Sequence, residues 1–314
     1  MKLFRISLLL FCIVLLSACI EERDRNCPTD RSVILEFAYN HNGSDILHRI
    51  SSVDLFIYGN ASGLLVHKET VTGAQKGADL SHLEPGEYRV VAWGNASARS
   101  AFGGINLGEA ISNAYISLPG APRSTTTFPG MGDDLYFASD LQRQSTLVIP
   151  ATGDVSEVLP FSRAFIDIDV YVVGYEEVFG DPVAPFVEIG NANPGYDFYR
   201  KTFGSVTLRE QSQNQDNLTE RPALAHFRTK LFDINSNAMT QEVRILSSNN
   251  TIVHTIDNAT LKSEIAAFML REGITSLETG PDMLIPIIVS FLNKDISVII
   301  KVPEFEQKPV DPII

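Results

Sequence analysis

The sequence predicts a mainly β protein built as two modules in tandem, with one short helix in the second. Three observations carry that prediction. Apolar residues recur at every second position in short runs separated by turn clusters, which is the period of a half-buried strand. The chain of 314 residues is long for one hydrophobic core and comfortable for two. In the second half one stretch, beginning at Leu261, stands out by its helical spacing.

The first run sets Val33, Leu35, Phe37 and Tyr39 on one face and ends at the turn cluster His41-Asn42-Gly43-Ser44. Val53, Leu55 and Ile57 repeat the pattern against Asp54, Phe56 and Tyr58, and Leu64 to Val71 resumes it after Gly59-Asn60-Ala61-Ser62-Gly63 as a hairpin partner. Pro85-Gly86 suits the centre of a type II turn, where proline fixes φ and glycine accepts a positive φ. After it, Tyr88, Val90 and Ala92 face one way and Arg89, Val91 and Trp93 the other. Ile105 to Leu118 reads equally as a short helix or as a loop leading into a strand. Strands follow at Leu135 to Ala138 and Thr146 to Ile149, and the turn-rich Ala151-Thr152-Gly153-Asp154 is the expected crossing between modules.

The alternation restarts with Ala164, Ile166, Ile168, Val170 and Val172 opposite Phe165, Asp167, Asp169, Tyr171 and Val173. Asp181 to Pro222, rich in Gly, Pro, Asn and Gln, reads as long loops between short strands. Val243 to Leu246 and Thr251 to Ile256 form a hairpin. Leu261, Ile265, Phe268 and Met269 recur at i, i+4, i+7 and i+8, with Thr260 or Asn258 as cap and Gly273 as terminator. Leu284 to Leu292 and Ile296 to Val302 form a last hairpin, beyond which Pro303, Pro309 and Pro312 cannot continue a central strand.

Ahead of the first strand stands a different kind of segment. Lys2 and Arg5 precede an uncharged run from Ile6 to Ala18, shorter than the roughly 20 residues a membrane-spanning helix needs. This is the layout of a secretory signal peptide. Its end, Leu-Ser-Ala-Cys, resembles the lipobox of bacterial lipoproteins and implies lipid attachment at Cys19. Two or more acyl chains hold a protein stably on a bilayer. Glu21, Glu22 and Asp24 resemble the acidic signal that sends lipoproteins of Bacteroides-type bacteria to the exterior of the outer membrane. The resulting plan is a signal peptide over 1–18, a lipidated linker over 19–31, β-modules over 32–152 and 153–303, and a tail over 304–314.

A net charge of −13 disfavours nucleic acid as a partner. Three cysteines cannot build a disulfide scaffold: Cys12 leaves with the signal, Cys19 takes lipid and Cys27 stands alone in the linker. Six Asn-x-Ser/Thr sequons, at Asn42, Asn60, Asn95, Asn217, Asn249 and Asn258, read as Asn-rich turns in a bacterial lipoprotein.

The order of lipobox, Val-x-Leu-x-Phe-type strand, Val53-Asp54-Leu55-Phe56-Ile57-Tyr58 and Leu83-x-Pro85-Gly86-x-Tyr88-x-Val90-Val91-Ala92-Trp93-Gly94-Asn95 resembles the fimbrillin-associated anchor lipoproteins of Bacteroides-type bacteria, found at the base of type V pili. The likeness is best over Val33 to Asn95, and Leu159 to Tyr175 is compatible with the family's second domain. It implies two tandem transthyretin-like β-sandwiches, a fimbrial shaft subunit and the outer membrane as partners, and a role in holding a pilus and influencing its assembly or length. Such subunits join by strand addition, in which a sheet edge supplies backbone hydrogen bonds. Ile296, Val298, Ile300 and Val302 are then a candidate donor strand, or the strand that closes their own sandwich.

Chemistry is not expected. The six histidines have no metal-binding spacing, and no nucleophile elbow or phosphate loop occurs, so neither an enzyme nor a cofactor nor a metal site is predicted. Gly130-Met131-Gly132-Asp133-Asp134 could offer oxygens to calcium but suits a solvated turn. Asp167 and Asp169 sit where an exposed strand face is expected. The alternative function, a surface glycan-binding lipoprotein, would stack sugars on Phe198, Tyr199 and Phe203.

Overall fold

The computed structural model describes residues 31–41, 44–72, 76–121, 127–142, 146–216, 218, 221–230, 239–277, 283–292 and 295–301. The expected signal peptide, Cys19, Cys27, the rest of the expected linker before Arg31, Val302 and the expected tail lie outside the described residues. The earlier part of the chain holds β1 (Val33–Ala38), β2 (Ser52–Gly59), β3 (Leu65–Thr72), β4 (Gly77–Asp79) and β5 (Gly86–Gly94). It continues through β6 (Ala101–Gly103), β7 (Tyr115–Ser117), β8 (Thr127–Pro129), β9 (Tyr136–Ser139), β10 (Leu147–Ile149), β11 (Val155–Pro160) and β12 (Ser162–Arg163).

A central sheet in the order β12-β9-β5-β2-β3, with β10 also on β5, packs against a three-stranded sheet β11-β1-β4. Val33, Leu35 and Phe37 of β1 meet Val53, Leu55, Ile57, Val90 and Ala92 in the core between them. The turn at 151–154 leads into β11, which pairs in parallel with β1, so strands of these sheets run on past residue 152 as far as Arg163.

The second face of the central sheet is buried as well. Phe56, Tyr58, Val91 and Trp93 all have almost no exposure and pack with Phe137, Ile116, Tyr196 and Phe198. A strand covered on both sides needs apolar residues at consecutive positions, which is what Val90-Val91-Ala92-Trp93 provides. The cover comes from a small sheet that mixes the two halves, ordered β16 (Thr202–Phe203), β15 (Gly195–Asp197), β7, β6. Gly195 is required where β15 approaches β7, since a Cβ there would stand 2.3 Å from the Ile116 carbonyl oxygen.

The second sandwich contains β13 (Phe165–Val173), a short α1 (Tyr175–Phe179), β14 (Phe186–Ala192), β17 (Val206–Gln211) and β18 (Gln213–Asn214). It is completed by β19 (Ala223–Lys230), β20 (Glu242–Leu246), β21 (Ile252–Ile256), α2 (Asn258–Arg271), β22 (Leu284–Leu292) and β23 (Asp295–Ile300). Its sheets are ordered β8-β17-β14-β20-β21 and β18-β19-β13-β22-β23. One core joins Ile166, Ile168 and Val170 to Val187, Ile189 and Leu208, with Leu261, Ile265 and Phe268 of α2 laid across it. β8, from the first half of the chain, pairs in parallel with β17, a second strand shared between the halves.

Two expectations are corrected and two are sharpened. Pro85-Gly86 is not the centre of a type II turn: Gly86 has no positive φ and opens β5, and the chain reverses at Leu80–Leu83, closed by Leu83 N–H to the Leu80 carbonyl at 3.0 Å. The helix cap is Asp257, whose side chain accepts from Thr260 N–H, rather than Thr260 or Asn258. The loop-rich Asp181 to Pro222 contributes β14 and β17, both inside the second sheet. Ile105 to Leu118 resolves into a 3₁₀ turn at Ile111–Asn113 followed by β7.

Candidate docking surface

The three-stranded sheet has fewer strands than the central sheet it faces, and among the described residues one rim of the first sandwich is open. Along it, β3 is the outer strand of the central sheet and β4 the outer strand of its partner. The start of β3 is covered, because Leu65 N–H donates to the Glu109 carbonyl and Gly108 N–H to the Leu65 carbonyl, both at 2.8 Å. From His67 to Thr72 it pairs, among the described residues, only with β2. Beside the end of β3 lies a cleft of about 460 Å³ with Phe37, Ile50, Val53 and Val71 in its wall and Asp45, His48 and Lys76 around it. A neighbouring cavity of about 610 Å³, reaching Ala78 and Asp79, shares Phe37, Val71 and Lys76 with it. An apolar floor bounded by free backbone edges can take up an added strand.

The inner face of β3 changes character along its length. Val71 is in the core, but Glu69 and His67, two and four residues earlier on the same face, bring polar groups to the rim. The His82 ring, from the turn before β5, lies 4.6 Å from that of His67, centroid to centroid. Sequence spacing could not join these residues, since β3 and the turn are brought together only by the crossing through β4.

Ile296, Val298 and Ile300 lie on β23, the outermost strand of the second sandwich, paired with Phe291, Val289 and Ile287 of β22. Ile300 is fully buried and its carbonyl accepts from Arg271 at 2.7 Å, whereas Ile296 is 42% exposed. This strand therefore sits in its own sandwich in this structure, and donation elsewhere would require breaking that pairing.

The remaining candidates are structural. Asp133 accepts from Ser97 N–H at 2.9 Å and also from its hydroxyl, and Asp134 accepts from Asn95 at 3.2 Å, so both carboxylates hold the turn after β5. Burial is the main cause that lifts the Asp134 pKa. Asp169 and Asp167 are not on an open face: Asp169 is buried against His226, and Asp167 accepts from Arg228 Nε at 2.7 Å. The hydrogen bond to Asp169 raises the His226 pKa against the opposing effect of burial. Burial pushes Asp140 up to about 6 and the fully buried Lys230 down to about 8. Of the proposed sugar platform, Phe198 is fully buried against Phe56, Phe203 is half-buried edge-on to Tyr115, and only Tyr199 is exposed. Among the described residues no three His, Cys, Asp or Glu side chains converge as a metal cluster.

Two β-sandwiches with strands shared between the halves of the chain define a mainly β, two-sandwich class of protein. The fold is similar to that of the fimbrial anchor protein Mfa2 from Porphyromonas gingivalis, with TM-score 0.62 and 14% identity over 87% of this chain and 95% of that one. It is similar also to a candidate adhesin from Bacteroides ovatus, with TM-score 0.67 and 18% identity over 86% and 93% of the two chains. A candidate polysaccharide-binding protein from Bacteroides thetaiotaomicron matches with TM-score 0.67 and 13% identity over 88% and 98%. No curated protein sequence matches significantly. The chain belongs to the family of fimbrillin-A associated anchor proteins Mfa1 and Mfa2, which matches residues 23–307.

Proposed function

We propose that the protein is an outer-membrane lipoprotein, facing the cell exterior, that anchors a fimbrium and influences its assembly or length. Family membership over residues 23–307 carries this reading. Cys19 bears the lipid, and residues 20–30 are the spacer between membrane and fold. At the end of the spacer Arg31 donates to the carbonyls of Pro150, Ser81 and Leu83, at 3.0, 2.7 and 2.6 Å, so tension on the tether enters the sandwich through a fixed point. The shaft subunit contributes a strand to the rim between β3 and β4, where the outer edge of β3 has no strand partner from His67 to Thr72 among the described residues and Phe37, Val53 and Val71 are apolar residues of the adjoining cleft. The first module, 32–152 by sequence, is best drawn on to Arg163, because β11 and β12 pair within its sheets.

Two manipulations test this on whole cells. Cys19→Ser should lose incorporated lipid label and shed the protein from membranes. A photo-crosslinking residue at exposed Lys76 should capture the shaft subunit, and one at Ile299 on the edge of the second sandwich should not. Capture at position 299 alone would move the contact to β23, and a membrane-retained, unlabelled Cys19→Ser protein would remove the lipid anchor.

A further inference from the structure

We propose that His67 and His82 form a two-imidazole site for a borderline transition-metal ion, Zn²⁺ or Cu²⁺, at the rim of the first sandwich. His67 Nδ1 and His82 Nε2 lie 3.5 Å apart. That is long for a direct N–H···N hydrogen bond, which centres near 3 Å. It is close to the roughly 3.3 Å separating two imidazole nitrogens that share a tetrahedral ion at about 2.0–2.1 Å. Imidazole is a preferred ligand of both metals.

His67 Nε2 is buried without a hydrogen-bond partner, and the Glu69 carboxylate stands beside it, with Oε2 at 3.8 Å, beyond hydrogen-bond reach, and Oε1 likewise buried and unpaired. The tautomer protonated on Nε2, toward that negative charge, presents its Nδ1 lone pair to His82. Glu69 is thus a positioning residue and not a ligand. Asp79, whose pKa is lowered by its bonds to Ser81 with a smaller contribution from His82, adds negative charge beside the site.

The scaffold is firm on both sides. His67 pairs with Ile57 inside the central sheet, and His82 rides on a turn anchored by buried Leu80 and Leu83. No third His, Cys, Asp or Glu joins them among the described residues, so water fills the other positions and the ion is exchangeable. A bound ion would staple β3 to the turn preceding β5, across one end of the rim. This goes beyond the anchoring function and does not depend on where the shaft binds.

The test uses the tag-free chain, titrated with ZnCl₂ and CuCl₂ by calorimetry, with thermal melting in parallel. One equivalent should bind and raise Tm. H67A and H82A should each weaken affinity at least about tenfold and abolish the Tm rise, E69Q should weaken it by less than either, and H254A should leave the affinity unchanged. Nitrogen hyperfine structure from two imidazoles should appear in the Cu²⁺ spectrum. His82 is exposed, so H82A keeps the fold and decides the matter even where H67A melts early. Absence of binding, or binding unchanged in H82A, overturns the site.

Discussion

The sandwich nearer the N-terminus sets three strands opposite its central sheet, whereas the one that follows sets five opposite five and lays α2 across the core. The second sandwich is closed over a single core. The open one keeps a cleft at a rim and compensates on its other face, where Trp93, Phe137, Tyr196 and Phe198 form a second core under strands from both halves. Openness at one rim is thus paired with aromatic burial elsewhere, and the halves are coupled through that aromatic core.

The largest expected effect tests the coupling. Phe198→Ala removes a fully buried ring that touches Phe56 and Tyr58 of β2 from the second half of the chain. It should cost about 3–5 kcal/mol. Calorimetry should show both sandwiches melting together at a lower temperature, and a fall confined to one of two transitions would separate the modules. Ile265→Ala, under α2, should cost about 2–5 kcal/mol. Denaturant titration should give this loss without disturbing the cleft, as judged by unchanged crosslinking at position 76.

Two smaller effects have opposite directions. Burial raises Asp140 to about 6, above its unfolded value of about 3.9, so its contribution is full below the unfolded value and is lost as pH rises through about 6. D140N removes that charge, and its stability relative to wild type should be greatest at pH 7 and shrink by pH 5. His226 is raised by its bond to Asp169, so its contribution is present below its unfolded value and lost as pH rises past the folded one. H226Q should therefore lose most, relative to wild type, on the acid side and little at alkaline pH. Smallest is Asp257→Ala at the α2 cap, expected as a slight fall in Tm.

Local pattern made much of this architecture legible. Period-two alternation located β1, β2, β3, β5, β13 and the β22–β23 hairpin, and the i, i+4, i+7 spacing located α2 with its buried Leu261, Ile265 and Phe268. What the pattern could not carry was pairing between distant segments. β8 lies about eighty positions from its partner β17, and β7 meets β15 across a similar gap, each a three-residue contact with little alternation of its own. Asp167 and Asp169 looked exposed because alternation marks a polar face without saying that Arg228 and His226 cover it. The open rim was hidden for the same reason: it is set by the number of strands in the opposing sheet. His67 and His82 become neighbours only after the chain has crossed from one sheet to the other and back.

Anchoring is tested most directly by fractionating fimbriae from cells that carry or lack this protein. The account predicts that cells without it, or with only the Cys19→Ser form, release their fimbriae into the medium, and that the full-length protein restores attachment. Fimbriae that stay with the cell envelope in its absence would contradict it.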